Sequence, residues 1–587
     1  VADTLRYELD LSRRRQHLVT VRLRLPDDLV GPVRLAMPTW TPGSYVMRDY
    51  VHHLQTIAAT DADGAELTLV PDGHTRWVLD TDRPAGAVVT WELYANDLTV
   101  RTNHVDDHHA LLVSPATFVV VEAERDRQHE VHVPGDVPVW SLLPRGDGDA
   151  TWVAADLDHL VDSAFEVGDF PHVEVDVEGV PHRFVWAGHG GAPELDRLGE
   201  DLVALAREAV ALFDGDLPVA EYTFLCVGWD AGGGGLEHRD GSVLMMPVTT
   251  FQDDEAYAKL QSLLAHEYLH LWNVKRLVPA ELVRPDPVGH THTRLLWVSE
   301  GWTAYYDDVL PVRAGCWTLD RFLRDMAGQL DRVLERPGTA NQSVEEASHG
   351  AWTGLYVRDE NSDNKGTNYY DHGAVLAWCL DLLIRGERPD GDGLDGALRS
   401  LWRSFGGSGR GFTDADVRAA VAEAAGRDLG WFFDAHVRGR ALPDVEGLVG
   451  AVGLSLERPL PEAPTPWLGV TATSDDAGTT LATVVRDGPA WEAGVTGGDR
   501  LVAVDGQVVR RDQLPTVLRA HAPGDEVVLT VTRGPRRLDL PVVLGEPVRP
   551  RRLRPVGDPT EAQRRAFRRW TGRDLPDREG DPDGDGR

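Results

Sequence analysis

Lysine is almost missing from this chain: among 587 residues only Lys259, Lys275 and Lys365 occur, with arginine in their place. That bias reads as genomic base composition rather than function. Cysteine is equally scarce. Cys226, Cys316 and Cys379 are odd in number, widely spaced and without a CxxC pair. This excludes a disulfide framework and suits a reducing compartment, so cytoplasmic residence is expected. No apolar run approaches membrane-spanning length, and the opening VADTLRYELDLSRRRQ holds no apolar core of a secretory signal. Net positive charge is absent too. A formal charge of -35 argues against binding nucleic acid or an anionic membrane and is explained by a solubilising surface. The length exceeds what one core can serve, so three or four domains are expected.

The first third reads as β. Val19, Val21, Leu23 and Leu25 alternate with polar residues, as do Val89, Trp91 and Leu93, and Pro and Gly turns separate such runs. Helical periodicity starts only at Leu195, Leu198, Leu202, Leu205, Ala209 and Leu212. A strand over Tyr222 to Val227, a glycine run and a second strand around Ser242 to Met246 follow. Beyond them come helices marked by Leu319 to Val333 and Val375 to Ile384, and a third opened by Thr413 and Asp416 as a capping box.

Within LQSLLAHEYLHLW the residues His266 and His270 stand four apart on a helical pattern. They share a helix face, so both imidazoles can close on one ion, with Glu267 rotated toward a water on it. This is the H-E-x-x-H arrangement of zinc hydrolases. A catalytic zinc takes a third protein ligand, and Glu300, in SEGWTAYY, opens a second apolar helix that can supply it. The bland alternative for Glu300 is a helix-dipole role at an N-terminus. Zinc held in this way brings its water to a pKa of about 7 and polarises a peptide carbonyl, while Glu267 acts as general base and then acid.

HEYLHLWNVKRL and SEGWTAYY resemble the glycyl-aminopeptidase-type zinc peptidases that carry a C-terminal PDZ domain, a gluzincin family related to aminopeptidase N. MPTWTPGSYVMRDY (Met37 to Tyr50), GGGGLEH (Gly232 to His238), NYYDHGAVLAWCLDLLIR (Asn368 to Arg385) and FFDAHVRGRALP (Phe432 to Pro443) resemble further blocks of that family, in its order. The resemblance implies a multidomain α+β architecture. An N-terminal antiparallel β domain would span residues 1–170, and a thermolysin-like catalytic domain with a helical C-terminal half residues 171–450. A PDZ domain at 463–547 and a disordered tail at 548–587 would complete it. It also implies one Zn2+ per chain and removal of N-terminal residues, small ones of the Gly or Ala type, from peptides.

Roles follow by resemblance for further residues. Tyr370 aligns with the tyrosine that stabilises the oxyanion in the aminopeptidase N relatives, although Tyr369 is an alternative and His372 stands where those relatives have lysine. Glu237 resembles the glutamate that holds a free α-ammonium, with Gly234 and Gly235 along the substrate backbone, where glycine permits close approach. Asn273, Lys275 and Arg276 match the family block after the zinc helix, with supporting or dipole roles. WLGV then resembles a PDZ carboxylate-binding loop, so Trp467, Leu468, Gly469 and Val470 are expected to take the C-terminus of a peptide.

The run His104-Val105-Asp106-Asp107-His108-His109 also holds metal-ligand chemistry, but neighbours in sequence rarely converge on one ion, so no second metal is expected. Two other functions remain open. One is a zinc endopeptidase, which would not need Glu237 to hold an amine. The other is a peptide-binding scaffold in which the PDZ domain dominates and the zinc site is vestigial.

Overall fold

The computed structural model of the protein describes residues 4–188, 190–191, 193–476 and 478–578. The chain folds into two compact units. One comprises residues 1–293, 313–317 and 398–413; the other comprises 294–312, 318–397 and 414–587.

The first unit begins with a seven-stranded sheet. Its strands follow the order 151–154, 129–132, 5–10, 18–24, 88–94, 54–60 and 66–67. The alternation read from the sequence places its apolar set inward: Val19, Val21, Leu23, Val89, Trp91 and Leu93 are all fully buried. Pairing is antiparallel throughout except between Leu5–Asp10 and His129–His132, which run parallel. No helix longer than Leu157–Val161 occurs among the described residues before 190.

A five-stranded sheet follows in the same unit. Its strand order is His172–Val177, β1 (Val180–Gly188), β2 (Tyr222–Trp229), β4 (Gly241–Pro247) and β3 (Gly234–His238). Strands β1, β2 and β4 are parallel, and β3 returns antiparallel along β4 to form the edge. The glycine run therefore becomes an edge strand, with one row of backbone groups facing away from the sheet.

Helix α1 (Asp254–Leu269) carries the H-E-x-x-H run. The Asp253 side chain accepts the Ala256 N–H at 2.7 Å to cap it, and Asp254 and Glu255 add acidic charge to its first turn. Two tyrosines tie it to the sheet. Tyr268 Oη lies 2.8 Å from His182 Nε2 of β1, and Tyr222 Oη of β2 donates to the Glu267 backbone oxygen at 3.2 Å. Tyr257 and Gln261 both donate to Asp201 on the Leu195–Leu212 helix.

The second unit is helical up to the PDZ sheet. Trp297–Trp302 winds as a π-helical turn that runs into α2 (Thr303–Ala314), and α3 (Tyr369–Glu387) packs against that turn. The contact is close because both helices present glycine: a Cβ on Gly301 would lie 2.6 Å from the Gly373 Cα. The PDZ sheet follows, in the order 470–475, 478–484, 500–504, 526–533 and 536–543, so Val470–Asp475 is its edge strand.

The expected disordered tail is corrected by the structure over much of its length. Arg552–Pro555 pairs with Leu454–Glu457, and Glu561–Thr571 forms a helix with Phe567 and Trp570 fully buried. Trp570 Nε1 donates to Tyr305 Oη at 2.7 Å, and its ring packs on Phe322 and Trp378. The arginine-rich composition hid an amphipathic helix, with Ala566, Phe567 and Trp570 on its inner face. The acidic stretch from residue 579 on lies outside the described residues. No described helix is long and apolar enough to cross a membrane.

Candidate active site

Helical spacing brings His266 and His270 together on α1 and its C-cap, with ring centroids 4.8 Å apart. His270 Nδ1 lies 2.6 Å from the backbone oxygen of the fully buried Asn273. That carbonyl takes the Nδ1 proton, so the Nε2 lone pair is the one left to ligate a metal. Asn273 was read from the sequence only as part of a supporting block, and this bond gives it a definite task.

Within the first unit, Glu237, Glu267 and His270 each place a donor atom within 4.8 Å of the others. Two imidazoles and a carboxylate are a donor set suited to zinc. Glu300 lies in the first turn of its helix, as the sequence suggested, but not on an exposed one. It lies inside the π-helical turn and is almost fully buried, so a dipole role on an exposed first turn does not describe it. Such wide turns recur at functional sites because they re-aim a side chain inside an otherwise continuous helix.

Glu267 is buried, and glycine is what allows it room. A Cβ at Gly235 on the edge strand would overlap its carboxylate. Edge strand and general-base candidate thus touch with nothing between them. Gly234 has φ +121°, a backbone conformation that a side chain would strain.

Glu237, on the same strand, is buried as well. Its Oε1 lies 3.8 Å from Lys275 Nζ, and Lys275 pairs more closely with Asp162, at 2.8 Å. Lys275, with burial opposing it, holds the Asp162 carboxyl well below its ordinary range, helped by His238. Two residues of the β-rich region that sequence reasoning missed complete this corner. A Cβ at Gly43, φ +92°, would overlap the Glu237 carboxylate, and Arg101 Nη2 donates to the Gly235 oxygen at 3.3 Å. Gly43 sits in the Thr41–Ser44 turn of MPTWTPGSY, a block whose likeness was visible but whose role was not.

In the second unit, Tyr370 Oη lies 3.0 Å from Tyr356 Oη, and Tyr369 stacks on Tyr370 with centroids 5.0 Å apart. Burial, and next the charge of the Glu300 carboxylate, push the Tyr370 phenol well above the usual tyrosine range. It therefore stays a neutral O–H donor at any pH the protein meets. Tyr369 is fully buried, whereas Tyr370 is only half-buried. His372, standing in place of a lysine, is fully buried with Nδ1 3.0 Å from Thr367 Oγ1, and burial lowers its pKa to about 4.

Of the four expected PDZ loop residues, Trp467 departs from the reading. Its N–H donates to Gly545 O at 2.9 Å and is spent within the fold. Leu468 is buried in the PDZ core, Gly469 has φ +77°, and Val470 starts the edge strand. A groove of about 390 Å³ runs beside them, lined by Leu468, Val470, Leu514, Pro515 and Leu518.

Residues 6–169 match the peptidase M61 N-terminal domain, residues 259–376 the M61 glycyl aminopeptidase model, and residues 466–544 a PDZ domain. The aminopeptidase N family protein from Idiomarina loihiensis is 26% identical with a TM-score of 0.91, over 97% of this chain and all of that one. An M1 zinc metallopeptidase from Deinococcus radiodurans is 14% identical with a TM-score of 0.46, over 75% of this chain and 95% of that one. A comparison with curated proteins gives no match. Both M61 domain models and a PDZ domain match in the order that its motifs foretold, and the chain is a metallopeptidase.

Proposed function

We propose that the protein is a zinc aminopeptidase that removes small N-terminal residues from peptides. In this reading His266, His270 and Glu300 hold the zinc, and Glu267 is the general base. Tyr370 is the oxyanion donor and Glu237 the anchor for the substrate's α-ammonium. The meeting of His266 and His270 on one helix face, with the Nδ1 of His270 engaged by Asn273, supports the ligand set. When bound, the ion supplies Lewis acidity and an activated water.

The protein's own groups supply the rest. An extended substrate adds its backbone to the free edge of β3, which the missing side chain at Gly235 lets it approach. Glu267, directly under that edge, accepts a proton during attack and returns it to the leaving amine. Tyr370, kept neutral, donates its O–H to the oxygen that becomes negative.

The observation that favours an aminopeptidase over an endopeptidase is the contact of Gly43 with Glu237. The Thr41–Ser44 turn stands directly against the anchoring carboxylate, so a chain extended past the α-amine meets backbone. A cavity of about 150 Å³ beside Glu237, walled in part by Trp40, Tyr45 and Lys275, supports a short first side chain. The PDZ edge strand and apolar groove support capture of a peptide C-terminus through the amides that follow Trp467. Three free cysteines, two of them buried, suit a reducing compartment such as the cytoplasm.

The test measures bound zinc and turnover of glycyl and alanyl chromogenic substrates for wild type and Glu267→Gln. One metal in the active site with turnover reduced by roughly 10²–10⁴ is expected of the variant. N-acetylation of the substrate should abolish cleavage. Undiminished cleavage of blocked peptides would establish an endopeptidase, and unchanged function of Glu267→Gln would establish a scaffold.

A further inference from the structure

The loop at 104–109 does what its sequence argues against. His104–Val105 and Ala110–Val113 are antiparallel strands of one hairpin, with Val105 opposite Ala110 and His104 opposite Leu111. The two histidines are therefore not neighbours along a line. They face each other across a turn, with His104 Nδ1 2.8 Å from His109 Nε2. Asp106 shapes the turn by accepting the His108 and His109 N–H groups on Oδ1, at 2.7 and 2.9 Å. A donor atom of Asp106 lies within 4.8 Å of those of both histidines.

Behind the pair stands Glu166, fully buried, with Oε1 3.0 Å from His109 Nδ1. A carboxylate on the far ring nitrogen fixes the tautomer that presents Nε2, the usual outer support of a metal-bound histidine. Glu166 Oε2 is buried and has no hydrogen-bond partner among the described residues. A buried carboxylate with an orphaned oxygen is costly unless positive charge stands close by. With both imidazoles deprotonated on metal binding, Asp106 and Glu166 carry two negative charges that one divalent cation cancels.

The geometry points to a second metal site, in which His104, His109 and Asp106 bind a divalent transition-metal ion and Glu166 orients His109. Imidazole donors suit Zn2+, Cu2+ and Ni2+ alike, and Ni2+ serves as the probe.

Its role is structural. His108 Nε2 lies 2.8 Å from Gly188 O at the end of β1, and the His104 ring packs on Trp229 at the end of β2. The loop thus joins the β-rich region to the five-stranded sheet within the first unit, and an ion in it would staple the two.

The experiment uses the full chain with His266→Ala and His270→Ala, which removes the H-E-x-x-H pair and isolates the second site. Equilibrium dialysis against Ni2+, with metal counted by mass spectrometry, should give one ion per chain. Adding His104→Ala should reduce it to none, and adding His109→Gln should do the same should the first substitution unfold the protein. Ni2+ should raise the Tm of the double variant and leave that of the triple variant unmoved. No bound ion in the double variant, or one that survives both added substitutions, overturns the site; the pair is then a hydrogen-bonded relay from Glu166 through His109 to His104.

Discussion

Two edge strands in this chain offer themselves to peptides, and they differ in what stands beside them. Gly234–His238 ends the five-stranded sheet and is flanked by Glu237, by Glu267 and by the turn at Gly43. Val470–Asp475 ends the PDZ sheet and is flanked by an apolar groove with Leu514 and Leu518. The backbone geometry of strand addition is the same at both. Charge makes the first suit the amino end of a chain with a reacting bond beside it. Apolar lining and a glycine-turned loop make the second suit a carboxyl end with no chemistry. A common geometry therefore says little about function until the neighbouring side chains are counted.

The comparison breaks most sharply at the oxyanion. Tyr370→Phe should lower kcat by roughly 10²–10³ with metal retained, the usual loss for one such donor. Tyr369→Phe should leave kcat near wild type, and neither should alter binding of a C-terminal peptide. Equal losses from both tyrosines would reverse their assignment.

Acid should separate the two regions next. His372 on α3 and His129 in the first unit are buried, and burial lowers each pKa to about 4 from an ordinary value near 6.5. A histidine held neutral in the fold takes up its proton on unfolding. Its contribution is whole above about pH 6.5 and is lost as pH falls toward 4, by about 3 kcal/mol for each residue. The PDZ residues 466–544 contain a single histidine, His521, and it is not fully buried. Chemical denaturation at pH 7 and pH 5 should show turnover failing at lower denaturant in acid, while peptide capture by the PDZ edge holds.

Smaller effects sharpen the account of the amine. Glu237→Ala removes a charged anchor worth about 1.5–3 kcal/mol, so KM should rise by roughly ten- to a hundredfold while kcat changes less. Gly43→Ala should act the same way by displacing Glu237, and steady-state kinetics of both variants on alanyl substrates checks it. Smallest of all, Leu518→Asp should abolish capture of an apolar C-terminal peptide, read by fluorescence anisotropy. It should leave hydrolysis of aminoacyl chromogenic substrates unchanged.

Much of the catalytic corner was legible in the residues because helical spacing is local. Residues four apart share a face wherever a helix forms, so His266, Glu267 and His270 carried their geometry with them. The inward set Val19, Val21, Leu23 did the same with period two. Glu300 was legible as a partner but not in its setting, since an extra residue per turn leaves no mark on composition. The helix at 561–571 was hidden for a related reason. Its four arginines match its four apolar residues in number, and only the waiting contacts of Tyr305, Phe322 and Trp378 make Trp570 an anchor.

Spacing and motif by themselves determined that this chain builds a metal-hydrolase helix, a β-rich leader and a PDZ module, because each leaves a period or a motif in the linear order of residues. Only tertiary structure decided that Gly43 stands against Glu237, that Gly301 meets Gly373, and that His104 turns to face His109. Those are meetings of backbone with backbone or side chain across a turn or between distant segments, and nothing in the linear order of residues carries a distance through space.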